Sequence, residues 1–185
     1  MSNKPSEPDK ANRRHIVVVG AMGAGKTTVG TAVADRLGRP LFDSDAQIEA
    51  KTGQTVAEIA DANGIDRVHA LESEALNEAL DSSPPAVIAA AASMIDDDTN
   101  VTRLTAEAFV IWLRIGAATE LARMQADSGN THRPRGEHFD KDGLAELIDE
   151  RARRFAQVSG LTIDVDTTTL PDELEQIFAA LENAG

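Results

Sequence analysis

The sequence predicts a three-layer α/β domain, in which a parallel sheet of five strands has helices packed on both faces. Two observations favour this class. Short runs rich in β-branched residues alternate along the chain with longer stretches of helical periodicity. A glycine-rich loop at residues 20–27 separates the first such run from the first helical stretch. Sheets of this kind bind ligands at the carboxyl ends of their strands, so we expect the functional residues there.

The glycine-rich loop reads GAMGAGKT and matches the pattern G-x-x-x-x-G-K-[ST] at every fixed position. A glycine-rich turn can match this pattern by chance, so its context matters. The β-branched run at 15–19 predicts a buried strand directly before the loop, and residues 27–37 predict a helix that ends at Gly38. Strand, loop and helix together indicate a phosphate-binding site.

In such a loop the glycines allow successive backbone N–H groups to turn toward phosphate oxygens at the helix N-terminus. Lys26 is expected to reach the β- and γ-phosphates, and Thr27 to offer its hydroxyl to Mg²⁺. The loop residues predicted to bind ATP are Gly23, Ala24, Gly25, Lys26, Thr27 and Thr28.

Length and composition exclude several classes of protein. The 185 residues suffice for one core, and the lack of cysteine excludes disulfides, thiolate metal sites and a cysteine nucleophile. The net charge of −13 argues against partners such as nucleic acid or anionic membranes, which require clustered lysine and arginine. The polar N-terminus does not resemble a signal peptide, and no apolar run is long enough to span a bilayer. We therefore expect a cytoplasmic enzyme.

The remaining elements follow in alternation. Residues 1–14 carry no periodicity and predict a disordered tail, which leaves 15–185 as a single domain. Further strands are predicted at 39–43, 85–89, 107–113 and 161–166, with helices at 46–51, 117–124, 144–158 and 171–181.

Two carboxylates lie at the carboxyl end of the second predicted strand, in Asp43-Ser44-Asp45. One could complete the surroundings of Mg²⁺ and the other could bind the hydroxyl of an acceptor. Alternatively, Asp45 simply caps the helix predicted to follow it. The spacing alone leaves both interpretations open.

From His15 to about Leu181 the chain resembles the shikimate kinases, which have the nucleoside monophosphate kinase-like P-loop fold. The resemblance rests on the glycine-rich loop, on the D-x-D at 43–45, on IEAKTG at 48–53 and on TVAEI at 55–59. It implies the strand order 2-3-1-4-5, a mobile lid at about 125–142, and ATP with Mg²⁺ as cofactors. It gives Asp43 an outer-shell role at the Mg²⁺ ion that Thr27 binds, and it gives Asp45 the catalytic role of holding and deprotonating the acceptor hydroxyl.

The resemblance also assigns two arginines to the nucleotide. Arg123, in Leu121-Ala122-Arg123-Met124, matches the arginine that stacks on adenine, although a solvated helix arginine would look the same. Arg133, in Arg133-Pro134-Arg135-Gly136, matches the lid arginine that contacts ATP. There it would stabilise the charge of the transferring phosphoryl group.

One acceptor-binding motif has changed. The family segment F-R-x-x-E, whose arginine binds the substrate carboxylate, falls on VHALE at 68–72, so that His69 replaces the arginine. An imidazole is shorter, mostly neutral at pH 7 and unable to form the paired contacts that a guanidinium makes with a carboxylate. His69 is therefore either a substrate-binding residue of altered chemistry or an ordinary half-buried helix residue.

A second arginine of the family is retained, and a glycine loop is not. Arg151, in ERARRF at 150–155, matches the other carboxylate-binding arginine of the family. Where the family has three glycines after the third strand, this chain has AAAS at 90–93, which places Ala91 and Ala92 beside the substrate. Each added Cβ makes positive φ costly, so we expect an altered loop path or a narrower pocket floor.

These observations predict a monomeric kinase that transfers the γ-phosphate of ATP to a small hydroxylated acid, most simply shikimate. Two alternatives remain open. The same chemistry could act on another small hydroxylated acid or a sugar, or the chain could be a nucleotide-binding relative without catalysis.

Overall fold

The computed structural model describes residues 14–116, 118–119 and 141–184. The predicted tail lies outside these residues except for Arg14. The Arg14 guanidinium donates to the backbone oxygens of Thr105 and Ala106, and its own backbone oxygen accepts from Arg39. Arg14, the last residue of the predicted tail, is therefore in contact with the domain.

Strands and helices alternate along the described residues, as the sequence predicts, except between the second and third strands, where three helices follow one another. None of the described helices has the length and apolar character needed to cross a membrane. The elements are β1 (His15–Gly20), α1 (Lys26–Leu37), β2 (Leu41–Asp43), α2 (Ser44–Thr52), α3 (Val56–Asn63), α4 (Ile65–Leu80), β3 (Val87–Ala89), a 3₁₀ turn (Ala92–Asp96), α5 (Asp98–Glu107), β4 (Ala108–Arg114), α6 (Lys141–Val158), β5 (Leu161–Asp164) and α7 (Leu170–Asn183).

Within the described residues, five parallel strands form one sheet in the order β2-β3-β1-β4-β5. The long central pairing runs from His15 opposite Ala108 to Gly20 opposite Leu113. The predicted fold class and strand order are confirmed. The order places the loops after β1, β2 and β3 side by side at one edge of the sheet.

The core lies on both faces of the sheet, because β1 is buried along its whole length. Val17 and Val19 pack with residues of α4, α5 and α6 on one face, where the rings of Trp112 and Phe155 lie 5.9 Å apart. Val18 packs with α1 and α7 on the other face. A third cluster, from Ile48 to Ala75, joins α2, α3 and α4. These three helices form the side of the domain next to the predicted acceptor site.

The predicted element boundaries were wrong at several positions. Helix α5 was not predicted, because its buried positions are only Asn100 and Leu104, too few to produce a helical apolar pattern. As a result, Glu107 belongs to α5 and not to the fourth strand. The strands predicted at 39–43, 85–89 and 161–166 are shorter than expected, and the helices predicted at 46–51 and 171–181 begin earlier, at Ser44 and Leu170.

Gly20, the first residue of the glycine-rich loop, permits a close approach between β1 and β4. Its φ is 148°, and a Cβ placed on it would collide with the backbone oxygen of Leu113. We expect Gly20→Ala to lower the free energy of unfolding by about 2 kcal/mol or more, through backbone strain and steric overlap. Urea unfolding followed by circular dichroism measures this change.

Gly30→Ala is the matched control. Gly30 lies inside α1, and an added Cβ would meet Leu41 Cδ1 at 3.3 Å, a tight contact with a movable side chain. The higher helix propensity of alanine, about 1 kcal/mol, offsets that contact, so stability should change little. If Gly20→Ala were as stable as Gly30→Ala, the close approach at Gly20 would not limit the fold.

Candidate active site

The glycine-rich loop lies where the sequence predicts it, between β1 and α1. Gly23 and Gly25 have φ values of 76° and 94°, a region in which other residues are strained. Gly25 is the N-cap of α1 and has no side chain with which to cap the helix. Helix N-termini built in this way bind anions through backbone N–H groups, so the loop is suited to phosphate.

Lys26 lies along this loop. Its Nζ donates to the backbone oxygens of Gly20 and Ala21, both at 3.0 Å. The side chain is half-buried, so the ammonium charge is held at the mouth of the loop. A cation at this position attracts the phosphates that the loop N–H groups bind.

Thr27 and Asp43, the two predicted magnesium residues, are in contact. Thr27 Oγ1 donates to Asp43 Oδ2 at 2.7 Å, although the residues belong to α1 and β2. A hydroxyl and a carboxylate are the oxygen donors that Mg²⁺ prefers, and Mg²⁺ usually completes its coordination with phosphate oxygens and waters. The donor set therefore fits a magnesium ion bound together with a nucleotide.

The helix cap after β2 is Asp43, and the alternative that Asp45 caps α2 is wrong. Asp43 Oδ1 accepts from the backbone N–H groups of Asp45 and Ala46 at 3.1 and 3.3 Å. Asp45 lies in the first turn of α2 and is exposed. Asp43 therefore performs the capping, and Asp45 lies in the helix that follows the carboxyl end of β2.

Glu72 is the centre of the predicted acceptor end. It is buried on α4 and accepts a hydrogen bond from the hydroxyl of Ser93, in the loop after β3. Burial raises the pKa of Glu72, and the Ser93 hydrogen bond opposes that rise. The charges of His69 and Arg151 also lower this pKa, whereas that of Asp45 raises it. Three residues predicted from separate motifs therefore act electrostatically on one buried carboxyl group.

His69 is half-buried on α4, as one of the two sequence interpretations predicts. Its charge also acts on the carboxyl group of Glu72, one turn later on the same helix. Its role as a substrate-binding residue remains a prediction.

Arg151 is held by a carboxylate that the sequence analysis did not identify. Its Nε donates to both oxygens of Asp96 at 3.1 Å, and its Nη2 donates to Oδ2 at 2.7 Å. The only sequence signal for this contact is the run Asp96-Asp97-Asp98 that follows the predicted loop. Asp96 therefore lies in direct contact with a residue that the resemblance assigns to the acceptor.

The loop after β3 accommodates its alanines without strained backbone. No residue other than glycine has a positive φ in the described part of the chain, and Ala91 has φ −61° and ψ 152°. The Ala91 N–H donates to Ser44 Oγ at 3.3 Å, and that hydroxyl donates to the Ala89 oxygen at 3.2 Å. A 3₁₀ turn then begins at Ala92. The loop at 90–93 therefore adopts backbone conformations that alanine and serine tolerate, and it does not require the positive φ that glycine allows.

Arg123, Arg133 and the predicted lid up to residue 140 lie outside the described residues. Their assignments to adenine and to the transferring phosphoryl group remain predictions.

The buried Glu72 carboxyl predicts a pH dependence of stability. Burial raises the pKa of Glu72 in the folded protein above its ordinary value of 4.5. At a pH between 4.5 and the raised pKa, the folded protein therefore binds more protons than the unfolded chain. The free energy of unfolding should therefore fall as the pH rises from about 4.5 through the raised pKa of Glu72. Glu72→Gln, which keeps the size and a hydrogen-bond acceptor for Ser93, should lack this fall.

Chemical denaturation of both proteins over a pH series measures this difference. Glu175→Gln, at an exposed position on α7, removes a carboxylate elsewhere and should retain the fall of the parent. Identical pH profiles for the parent and Glu72→Gln would contradict the raised pKa.

Comparison with known proteins extends these observations. The sequence model of the family described as shikimate kinase matches residues 22–182. Shikimate kinase from Thermobifida fusca is 34% identical over 175 residues, which cover 95% of this chain and 99% of that protein. Shikimate kinase 1 from Erwinia tasmaniensis is 32% identical over 176 residues, with coverage of 94% and 99%. The solved shikimate kinase from Acinetobacter baumannii in complex with shikimate has a TM-score of 0.78 at 28% identity, with coverage of 92% and 93%.

Proposed function

Since this chain belongs to the shikimate kinase family, we propose that it transfers the γ-phosphoryl group of ATP to a hydroxyl of shikimate in the presence of Mg²⁺. The chain is a phosphotransferase that acts on a hydroxyl group of a small molecule. The observation that carries the finer proposal is the contact between Thr27 and Asp43 beside Lys26, at the loop that begins α1.

On the nucleotide side, catalysis consists mainly of positioning and charge stabilisation. The loop N–H groups and Lys26 would hold the β- and γ-phosphates, and the family resemblance assigns Arg133 to the γ-phosphoryl group. Thr27 and Asp43 would hold Mg²⁺, which would supply positive charge to the phosphate oxygens. Their contact at 2.7 Å supports this assignment, because it places both oxygen donors at one point.

On the acceptor side, Asp45 orients the attacking hydroxyl. The hydroxyl oxygen forms a bond to the γ-phosphorus, the bond between that phosphorus and the bridging oxygen of ADP breaks, and Asp45 accepts the hydroxyl proton. Its exposed position in the first turn of α2, directly after Asp43, supports this role. Arg151 binds the carboxylate of the acceptor.

The choice of shikimate is supported by the Acinetobacter baumannii relative, which was solved with shikimate bound. His69 and the AAAS loop at 90–93 favour the alternative of another small hydroxylated acid or a sugar, because both alter the acceptor side. A panel of hydroxy acids and sugars, assayed for ADP formation with MgATP, separates these functions. Turnover on shikimate alone supports the proposal, whereas turnover on another compound favours the alternative. ATP binding without turnover on any acceptor would favour a non-catalytic relative.

His69→Arg is expected to lower the Michaelis constant for shikimate about tenfold or more, with little change in kcat. An arginine at this position would add charge-assisted hydrogen bonds to the acceptor carboxylate, and these act equally in the ground and transition states. Steady-state kinetics with shikimate as the varied substrate measure the effect.

Ala70→Arg provides the matched control, since it adds the same charge at the neighbouring exposed position of α4. It should leave the Michaelis constant for shikimate unchanged. A companion variant combines His69→Arg with glycines at 91–93. If neither His69→Arg nor the companion binds shikimate better than the parent, the pocket accepts a different compound.

A further inference from the structure

We infer that Asp96 is a specificity-determining residue of the acceptor site, which competes with an acceptor carboxylate for Arg151 and weakens its binding. The inference rests on the proposed function, because it assumes that the acceptor is an acid. It concerns the contact between Asp96 and Arg151, and Asp96 belongs to none of the motifs that the resemblance is based on.

Asp96 contacts Arg151 in the way that a bound carboxylate would. Three hydrogen bonds of 2.7 to 3.1 Å join both Asp96 oxygens to the Nε and Nη2 edge of the guanidinium. The Arg151 side chain is only 16% exposed, so water screens this pair less than it would a surface pair. Paired contacts of this geometry are the strongest that arginine makes with a carboxylate.

Other basic groups near this end of the site are poor substitutes for Arg151. Arg154, one turn later on α6, donates to the backbone oxygens of Ile95 and Asp96 and to Asp98 Oδ1. His69 has a shorter side chain, which cannot form the paired contacts that a guanidinium makes with a carboxylate. Among the described residues, Arg151 is therefore the group best suited to bind an acceptor carboxylate.

The backbone around Asp96 holds its carboxylate at Arg151. Asp96 ends the 3₁₀ turn, and the two residues before it, Met94 and Ile95, are buried in the core. A carboxylate tethered in this way has a high effective concentration at the arginine. An incoming acceptor carboxylate must either displace Asp96 or share the Arg151 guanidinium, whose charge Asp96 already balances. In both cases the affinity for the acceptor is lower than it would be without Asp96.

A different role for Asp96 would be purely structural, as a tie between α6 and the 3₁₀ turn. The two roles predict opposite effects of substitution. Loss of a structural tie would loosen Arg151 and leave acid binding unchanged or weaker. Loss of a competitor would strengthen it.

The test compares Asp96→Asn with the parent protein and with Asp97→Asn. The Asp96→Asn substitution keeps the size of the side chain and removes its charge. Asp97→Asn is the matched control, since Asp97 caps α5 through Thr99 N–H, and asparagine caps equally well. We expect Asp96→Asn to lower both the dissociation constant of shikimate, measured by calorimetry, and its Michaelis constant by about tenfold, with kcat unchanged. Asp97→Asn should match the parent.

Two further variants connect the effect to the arginine. Asp96→Glu retains a carboxylate and should bind shikimate as weakly as the parent. The gain from Asp96→Asn should disappear in a background of Arg151→Gln, since the competed group is then absent.

Unchanged or weaker shikimate binding by folded Asp96→Asn would overturn the inference. So would a gain that persists in the Arg151→Gln background. Because the dissociation constant is measured without turnover, failure of the proposed kinase function can be distinguished from failure of the inference about Asp96. If neither protein phosphorylated shikimate but Asp96→Asn bound it more tightly, the proposed function would fail while the inference would stand.

Discussion

Lys26→Ala is expected to reduce phosphoryl transfer at least about a thousandfold, because it removes the positive charge held at the phosphate-binding loop. The fold should remain, since the loop conformation depends on its glycines and on the start of α1. The substitution removes the hydrogen bonds that Nζ donates to the backbone oxygens of Gly20 and Ala21. A coupled assay for ADP measures turnover, and thermal unfolding confirms that the variant is folded.

Lys51→Ala is the matched control for this experiment. Lys51 lies on α2, where its exposed ammonium pairs with Glu74 and Glu78 at 3.1 and 2.6 Å. Its loss should leave turnover unchanged. A folded Lys26→Ala protein with the activity of Lys51→Ala would end the interpretation of this chain as a kinase.

Asp45→Asn is expected to lower kcat about a hundredfold or more, because asparagine cannot accept the proton of the attacking hydroxyl. The helix start should be intact, since the capping bonds to the N–H groups of Asp45 and Ala46 come from Asp43. The dissociation constant for ATP should therefore stay close to that of the parent. Rapid-quench or steady-state kinetics with saturating shikimate, together with ATP titration, measure the two quantities.

Asp61→Asn, at an exposed position of α3, removes a carboxylate from a surface away from the loop and serves as the control. It should retain the kcat of the parent. If Asp45→Asn also retained it, Asp45 would have no catalytic role, and the acceptor hydroxyl would be oriented by another group.

The central strands of this fold could be predicted because each is a short apolar run that is mostly buried. β1 is the clearest case, since its six residues are all buried and local sequence alone marks it. Elements with few apolar positions could not be found in this way, as the missed helix Asp98–Glu107 shows. Its helical state depends on packing against other elements, which a local pattern does not contain.

The position of the glycine-rich loop between a strand and a helix could be predicted because its residues are contiguous in the sequence. The pairing of Thr27 with Asp43 required one further step, the knowledge that loops after neighbouring parallel strands meet at one edge. The capping role of Asp43 was missed, since an aspartate at either end of the D-x-D could cap the helix.

The acceptor side could be predicted only in part. His69, Asp45 and Arg151 were identified by resemblance, and in the structure the charges of all three act on the carboxyl group of Glu72. The contact between Asp96 and Arg151 joins residues 55 positions apart through charge, with no motif of its own. Contacts of this kind arise from tertiary structure, so a single sequence cannot reveal them.

The most direct test of the proposed function is phosphorus NMR of the protein incubated with MgATP and shikimate. We predict that the γ-phosphate signal of ATP disappears while ADP and a new phosphate monoester of shikimate appear in equal amounts. Omission of shikimate should leave ATP intact. ATP that stays unchanged with shikimate present, or that yields only ADP and inorganic phosphate, would contradict phosphoryl transfer to this acceptor.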